Sequence, residues 1–283
     1  MNASEIKSAL DIPVIRISSS RSWLALKLGE LWDHRELLYF FVWRDVKVRY
    51  KQTAIGAAWA IIQPLLTAVT FTIIFDKFAK MPSDGLPYPV FSYAALLPWN
   101  YFAKSLNGSI GSVVDGANLI TKVYFPRLLL PISATVSGLI DFAISFIFLL
   151  LMIAWYGIIP TWGALLLPCF ILLAMLTALS VGLWLSVLNV RYRDVGQAIP
   201  FLIQFWLFAS PVAYPVSVVP DKWRALYSLN PMAGVIEGFR WALLGRQMPD
   251  IQLIIISTAV VLLLLAGGLI FFKRMENTFA DIV

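Results

Sequence analysis

Residues Leu37 to Leu66, LLYFFVWRDVKVRYKQTAIGAAWAIIQPLL, join two opposite physical characters in one run. On a helical wheel the first half places Tyr39, Val42, Trp43, Val46 and Tyr50 on one narrow face. Arg44, Lys47 and Lys51 fall on a neighbouring face, so the segment reads as a basic amphipathic helix. Such a helix lies in the headgroup plane, with rings in the acyl boundary and cations toward anionic lipid. From Gly56 an uncharged run continues to Phe75, about the length that crosses a bilayer. A surface-lying helix feeding into a span is one reading. A polybasic flank on an ordinary first span is the other.

The remainder of the chain bears out a membrane setting by composition. Apolar residues make up 60% and charged ones 13% of 283 residues, far from the balance of a soluble domain. Mean hydropathy is +0.80. The formal charge of +6 then belongs to loops at a membrane surface and calls for no nucleic acid. One cysteine, Cys169, excludes an internal disulfide framework. The first fifty residues lack a short apolar core with a small-residue cleavage site, so no cleaved signal is expected.

Upstream of the opening stretch, Met1 to Ser22 is polar, with a strand-like alternation at Ile12–Ile17. Trp23, Leu24, Leu28, Leu31 and Trp32 recur at helical spacing and suggest a second interfacial helix. Downstream, uncharged length predicts an all-α fold with six spans. They fall near Gly56–Phe75, Pro87–Ala103 (broken at Pro89 and Pro98), two between Arg127 and Arg191, then Gly196–Tyr214 and Ile251–Phe272. The third and fourth are separated by a hairpin at Tyr156–Gly163. This divides the chain into a cytoplasmic arm, 1–54, and a six-span domain, 55–283. About nine Lys and Arg precede the first span, and the loop bias places both termini in the cytoplasm.

The segment Pro215–Asp250 is too apolar for a free loop and too charged for a span. It reads as two short helices, Asp221–Leu229 and Met232–Leu244, split by the turn signal Asn230-Pro231. Non-helical backbone at membrane depth survives only against protein or water. A re-entrant or interfacial hairpin between spans five and six follows, with a surface cap as the alternative. Two inner loops, Asn118–Arg127 and Asn189–Asp194, are each either a positive-inside anchor or a docking surface. Asp141 is the one charge between Arg127 and Arg191; it is either a functional group in a span or, as favoured here, a structural polar group that pairs with a hydroxyl or with Lys104 or stays protonated.

Catalytic signatures are missing. No Gly-Lys dipeptide offers a phosphate-binding loop, the lone His34 lies outside every span, and no metal-ligand spacing occurs. The chain reads as a conduit without an engine.

Arg44-Asp45-Val46-Lys47-Val48-Arg49-Tyr50-Lys51-Gln52-Thr53, with Ile55-Gly56, Trp59 and Gln63-Pro64, resembles the entry signature of ABC-2-type permeases that export polysaccharide. Lys122–Arg127 (KVYFPR), Leu188–Asp194 (LNVRYRD) and Ser210–Pro215 (SPVAYP) match the same pattern in order. So do Leu229–Met232 (LNPM), Glu237–Arg240 (EGFR) and the tail Phe279-Ala280-Asp281. The likeness runs from about residue 35 to the end and is nearest to O-antigen exporters, with capsule and teichoic acid exporters close by.

That resemblance implies a homodimer with two copies of a separate ATPase subunit, which would bind ATP and Mg while this chain holds no cofactor or metal. It implies transport of an undecaprenyl-diphosphate-linked glycan from cytoplasm to periplasm across the bacterial inner membrane. Tyr39, Trp43, Arg44, Lys47, Arg49, Tyr50 and Lys51 would form an entrance gate helix. Asn118, Lys122, Tyr124, Phe125 and Arg127, with Arg191, Arg193 and Asp194, would touch the ATPase. Trp223, Tyr227, Glu237, Phe239 and Arg240 would gate the periplasmic side.

A sugar polymer offers apolar ring faces, and conduction favours many weak stacking sites. Trp99, Tyr101, Phe102, Phe205, Trp206, Phe208 and Tyr214 are therefore expected either in a bore or in the interfacial belts of any polytopic protein. Two other classes compete with the transport reading. An exporter of a small hydrophobic drug would show a narrow lateral cleft, and an intramembrane enzyme of lipid-linked sugar metabolism would show a convergent carboxylate or histidine cluster.

Overall fold

The computed structural model describes residues 28–51, 56–245 and 248–279, and every regular element among them is helical. Helix α1 spans Leu28–Asp33 and α2 spans Arg35–Tyr50. Helix α3 (Trp59–Phe71) follows a 3-10 turn at Gly56–Ala58 and runs on as a π-helical segment, Thr72–Phe78. Next come α4 (Tyr88–Asp115), the short α5 (Ala117–Ile120) and α6 (Leu129–Trp155). A 3-10 turn at Trp162–Leu166 leads into α7 (Leu167–Arg191), which is followed by α8 (Asp194–Phe208). Helices α9 (Asp221–Tyr227), α10 (Pro231–Leu244) and α11 (Ile251–Met275) complete the chain. The strand-like Ile12–Ile17, the start of the expected helix at Trp23, and Gln52, Arg246 and Asp281 lie outside the described residues.

Four stretches are long and apolar enough to cross a membrane: Gly56–Phe78, Leu129–Trp155, Trp162–Arg191 and Ile251–Met275. They coincide with the first, third, fourth and sixth expected spans. The other two differ from expectation. Helix α4 runs 28 residues without interruption through Pro98 and Lys104. Pro89 sits in its first turn, where the missing N–H has no intrahelical partner to lose. Pro98 is accommodated where the helix is buried among its neighbours, residues 90–99 all being buried. Helix α8 has 15 residues and stops at Phe208, short of the expected Tyr214.

Helix α4 is the post around which α3, α6, α7, α8 and α10 are arranged. Close approach depends on small residues at the crossings. A Cβ on Gly138 of α6 would lie 2.6 Å from Ser105 Oγ, and one on Gly182 of α7 would lie 2.7 Å from Ser109 Cβ. Small side chains let helix backbones approach where lipid supplies no hydrophobic drive. The hydroxyls at these crossings are satisfied: Ser109 Oγ donates to Pro131 O at 3.2 Å, and Tyr101 OH to Thr135 O at 3.1 Å.

Connecting segments gather at two ends. At one, Phe41 of α2 meets Phe125 edge-on with ring centroids 5.4 Å apart, and Arg127 N donates to Glu276 Oε1 at 3.2 Å. At the far end, Tyr88 OH donates to Ala213 O at 2.6 Å, Ser217 Oγ to Asp84 Oδ1 at 3.2 Å, and Trp162 packs against Trp241.

Candidate functional site: the entrance junction and its two ends

Helix α2 lies along α6 through a polar seam. Asp45 and Arg49 are four residues apart on α2, and Ser133, Ser137 and Asp141 repeat the same spacing on α6, so matching turns face each other. Ser133 Oγ donates to Asp45 Oδ2 at 3.4 Å. Arg49 Nη1 lies 2.5 Å from Asp141 Oδ2, Lys104 Nζ of α4 lies 2.6 Å from the same oxygen, and Tyr50 OH donates to Asp141 Oδ1. Two cations thus share one carboxylate. A charge at this depth is costly unless paired, and Asp141 is paired from both sides.

Beside this knot opens a cleft of about 480 Å³ between the end of α2 and helices α3, α4 and α6. Its polar lining comes from Arg49, Lys104, Gln63, Asn100 and Asn107, from the hydroxyls of Tyr50, Tyr101 and Ser145, and from Asp141, whose charge is met by the two cations. Unspent cationic N–H donors and side-chain amides suit an anionic, oxygen-rich group.

The expected single aromatic face of α2 is divided. Tyr39 and Trp43 are 71% and 48% exposed, with Lys47 above the Trp43 ring at 5.7 Å and Lys51 exposed, as an interfacial surface requires. Tyr50 and Arg49 instead turn to Asp141, and Arg44 pairs with Asp45 at 2.8 Å. The Lys104 contact was one of the expected alternatives. The Arg49 and Tyr50 contacts were not, although one carboxylate among apolar residues signals that a cationic helix lies opposite.

The seven aromatics separate sharply. Trp99, Tyr101 and Phe102 are 3%, 4% and 0% exposed and pack in the core of the protomer, Tyr101 also bordering the cleft. Trp206 joins them, edge-on to Phe102 at 5.0 Å, and donates Nε1–H to Asn230 Oδ1 at 2.9 Å. Phe205 and Phe208 project outward from α8. Tyr214 is tied locally, donating to Phe208 O at 3.0 Å and receiving Tyr227 OH at 3.2 Å.

At the end holding α2, Asn118, Lys122, Tyr124, Arg191, Arg193 and Asp194 are all exposed, Tyr124 by 88%. Two residues differ: Arg127 is half-buried, and Phe125 is buried under Phe41 and so joins this surface to α2.

At the far end, Asn230 caps α10 by accepting from Met232 N at 3.1 Å, and Pro231 opens the helix as its sequence predicts. Glu237 and Arg240 pair at 2.7 Å, Arg240 Nη2 donates to Pro211 O at 2.8 Å, and its guanidinium stacks 3.7 Å from the Phe91 ring. Phe239 is fully buried against Phe142 and Phe146 and packs in the core. Trp223 is half exposed. Burial holds the Tyr227 phenol well above the ordinary tyrosine range, which keeps it a neutral hydroxyl. Among the described residues no group of His, Cys, Asp or Glu is arranged to hold a metal ion.

The described residues form an all-helical bundle with four stretches long and apolar enough to cross a membrane and a cationic helix clamped along α6. The ABC-2 type transporter family matches residues 36–244, and the chain belongs to that family. It is 32% identical to the O-antigen export system permease protein RfbA of Myxococcus xanthus, across 90% of this chain and 98% of that one. Identity to the RfbA of Klebsiella pneumoniae is 27%, across 90% and 97%. The polysialic acid transport protein KpsM of Escherichia coli is 22% identical across 71% and 78%.

Proposed function

We propose that this chain is the membrane-spanning permease subunit of an exporter of lipid-linked polysaccharide of the O-antigen type. The observation that carries the reading is the 32% identity to the Myxococcus xanthus RfbA over nearly the full length of both chains. In this reading two copies assemble with two ATPase subunits that bind ATP and Mg, and the termini face the cytoplasm of the inner membrane. The chain crosses six times: helices α4 and α8 complete the crossings begun by the four long apolar stretches, and α9–α10 form a hairpin that enters the outer leaflet. The partition of connecting segments between two ends supports an even number of crossings.

The entrance junction then has a defined task. Tyr39 and Trp43 rest in the acyl boundary, while Lys47, Lys51 and the Arg49–Lys104 pair draw a carrier diphosphate toward the cleft. The basic surface with Tyr124 receives the ATPase subunit, and Phe125 passes its movement to α2 through Phe41. Phe205 and Phe208, together with Phe201, are the exposed aromatics of α8 available to a sugar chain.

An in-frame deletion in the source strain tests the reading. Loss of surface polysaccharide, with lipid-linked polymer accumulating on the cytoplasmic side and both restored by a plasmid copy, is the expected result. Unchanged surface polysaccharide in the deletion strain contradicts it.

A further inference from the structure

The far end holds a second polar cavity, of about 320 Å³, that the transport reading leaves without a task. Every outer segment but the 156–166 turn reaches it: Asp84 comes from the loop after α3, Ser217 from the stretch before α9, Arg224 from α9, Glu237 and Arg240 from α10, and Asp250 from the start of α11. Trp241 completes the wall.

Its chemistry is mixed in a specific way. Arg240 is held rigid by Glu237, by Pro211 O and by the Phe91 ring, and its side chain is only 6% exposed. Yet its Nε–H is buried without a hydrogen-bond partner. Arg224 is held more loosely: its side chain is 42% exposed, and Nη1 pairs with the exposed Asp221 at 2.9 Å. Its Nε, like that of Arg240, is buried without a hydrogen-bond partner, an exception among buried polar atoms, which are ordinarily satisfied. The two guanidinium groups border one cavity together with three carboxylates, of Asp84, Glu237 and Asp250.

The combination selects among ligand classes. An anion would meet three carboxylates, and a bare cation would meet two guanidinium groups. A neutral polyol meets neither obstacle, because each hydroxyl both donates and accepts. Planar carboxylates and guanidinium groups offer paired atoms to vicinal hydroxyls, and an indole such as Trp241 covers an apolar C–H ring face. The volume lies at the lower end of small-ligand pockets, which begin at about 300 Å³ and suit a mono- or disaccharide.

We propose that this cavity is an exit-side glycan-binding subsite that takes a neutral mono- or disaccharide stretch of the exported polymer. The inference rests on the polysaccharide-export reading above. Its position gives it a consequence: the same Arg240 that borders the sugar also holds Pro211 and Val212, the strand of backbone leaving α8. Occupancy is thereby felt where α8 ends.

The test uses the purified permease–ATPase complex in nanodiscs. The probe is a one-repeat oligosaccharide cut from delipidated surface polysaccharide of the source strain. Saturation-transfer NMR and calorimetry are expected to show saturable binding that Arg224→Gln weakens at least fivefold and that Ser217→Trp, which fills the mouth, abolishes. Both variants are required to elute as the wild-type assembly. Absence of saturable binding to wild type, binding indifferent to both variants, or displacement of the sugar by inorganic phosphate overturns the proposal. A strain that exports normally while its purified complex binds no oligosaccharide removes the subsite and leaves the export reading standing. A deletion strain that keeps its surface polysaccharide removes the export reading itself.

Discussion

Arg49 Nη1 of the surface helix lies 2.5 Å from Asp141 Oδ2, midway along α6. The same carboxylate accepts from Tyr50, while Ser133 donates to Asp45 and Phe41 packs on Phe125 further along α2. Asp141 thus anchors the last turn of α2 to α6.

Asp141→Asn leaves Arg49 and Lys104 facing each other without a counter-charge. Both cations retain access to water, so the cost is reduced to about 1–3 kcal/mol from the larger penalty of a fully buried pair. A lower melting temperature of the purified protein is expected, with most of the loss recovered by Lys104→Gln in the same chain. Equal melting of wild type and Asp141→Asn would remove the clamp.

Tyr124 and Phe125 are adjacent but point to different outcomes. Tyr124→Ala removes an exposed ring and should change stability by no more than about 0.5 kcal/mol while weakening recovery of the ATPase subunit in pull-downs. Phe125→Ala deletes a ring buried against Phe41 and should lower stability by about 3–5 kcal/mol. Melting curves and pull-down yields from the two variants separate docking from packing.

Gly138→Ala brings a methyl group to within 2.6 Å of Ser105 Oγ and 3.2 Å of the Tyr101 ring. Overpacking of this kind costs about 1–3 kcal/mol. Because the nearest atom is a hydroxyl, Ser105→Ala should restore much of the melting temperature. A double variant as unstable as Gly138→Ala alone would place the clash elsewhere.

Sidedness is tested by single cysteines in a Cys169→Ser background. An impermeant maleimide should label Ser217→Cys in intact spheroplasts, and Lys122→Cys only after the membrane is opened. Both positions are exposed in the fold, so a missing signal reflects the membrane. Labelling of both in intact spheroplasts would refute the odd number of crossings, α6, α7 and α8, that the six-span reading places between them.

The sequence disclosed what depends on local rules. Asn230-Pro231 announced the start of α10 because a side-chain cap and a proline need only their own backbone. The four long apolar stretches were legible because bilayer thickness sets a minimum length. Continuity of α4 through Pro98 was not, since it depends on the helices that surround it. Trp99, Tyr101 and Phe102 were assigned to a bore or a belt because composition cannot separate a ring facing a pathway from one packed in a core. The Asp141–Lys104 contact was within reach of sequence reasoning, whereas Tyr50 was read with the rings of the acyl boundary because a helical wheel does not reveal which helix lies opposite.

The central claim is most directly tested by vectorial transport. Inside-out proteoliposomes carrying this chain and its ATPase subunit would be loaded on the outer leaflet with lipid-linked polysaccharide, and polymer protected from an added glycanase would be followed. The account predicts protection that grows with time, requires ATP and Mg, and falls when Asp141→Asn replaces wild type. Polymer that stays glycanase-sensitive in the presence of ATP, with the complex intact, would contradict it.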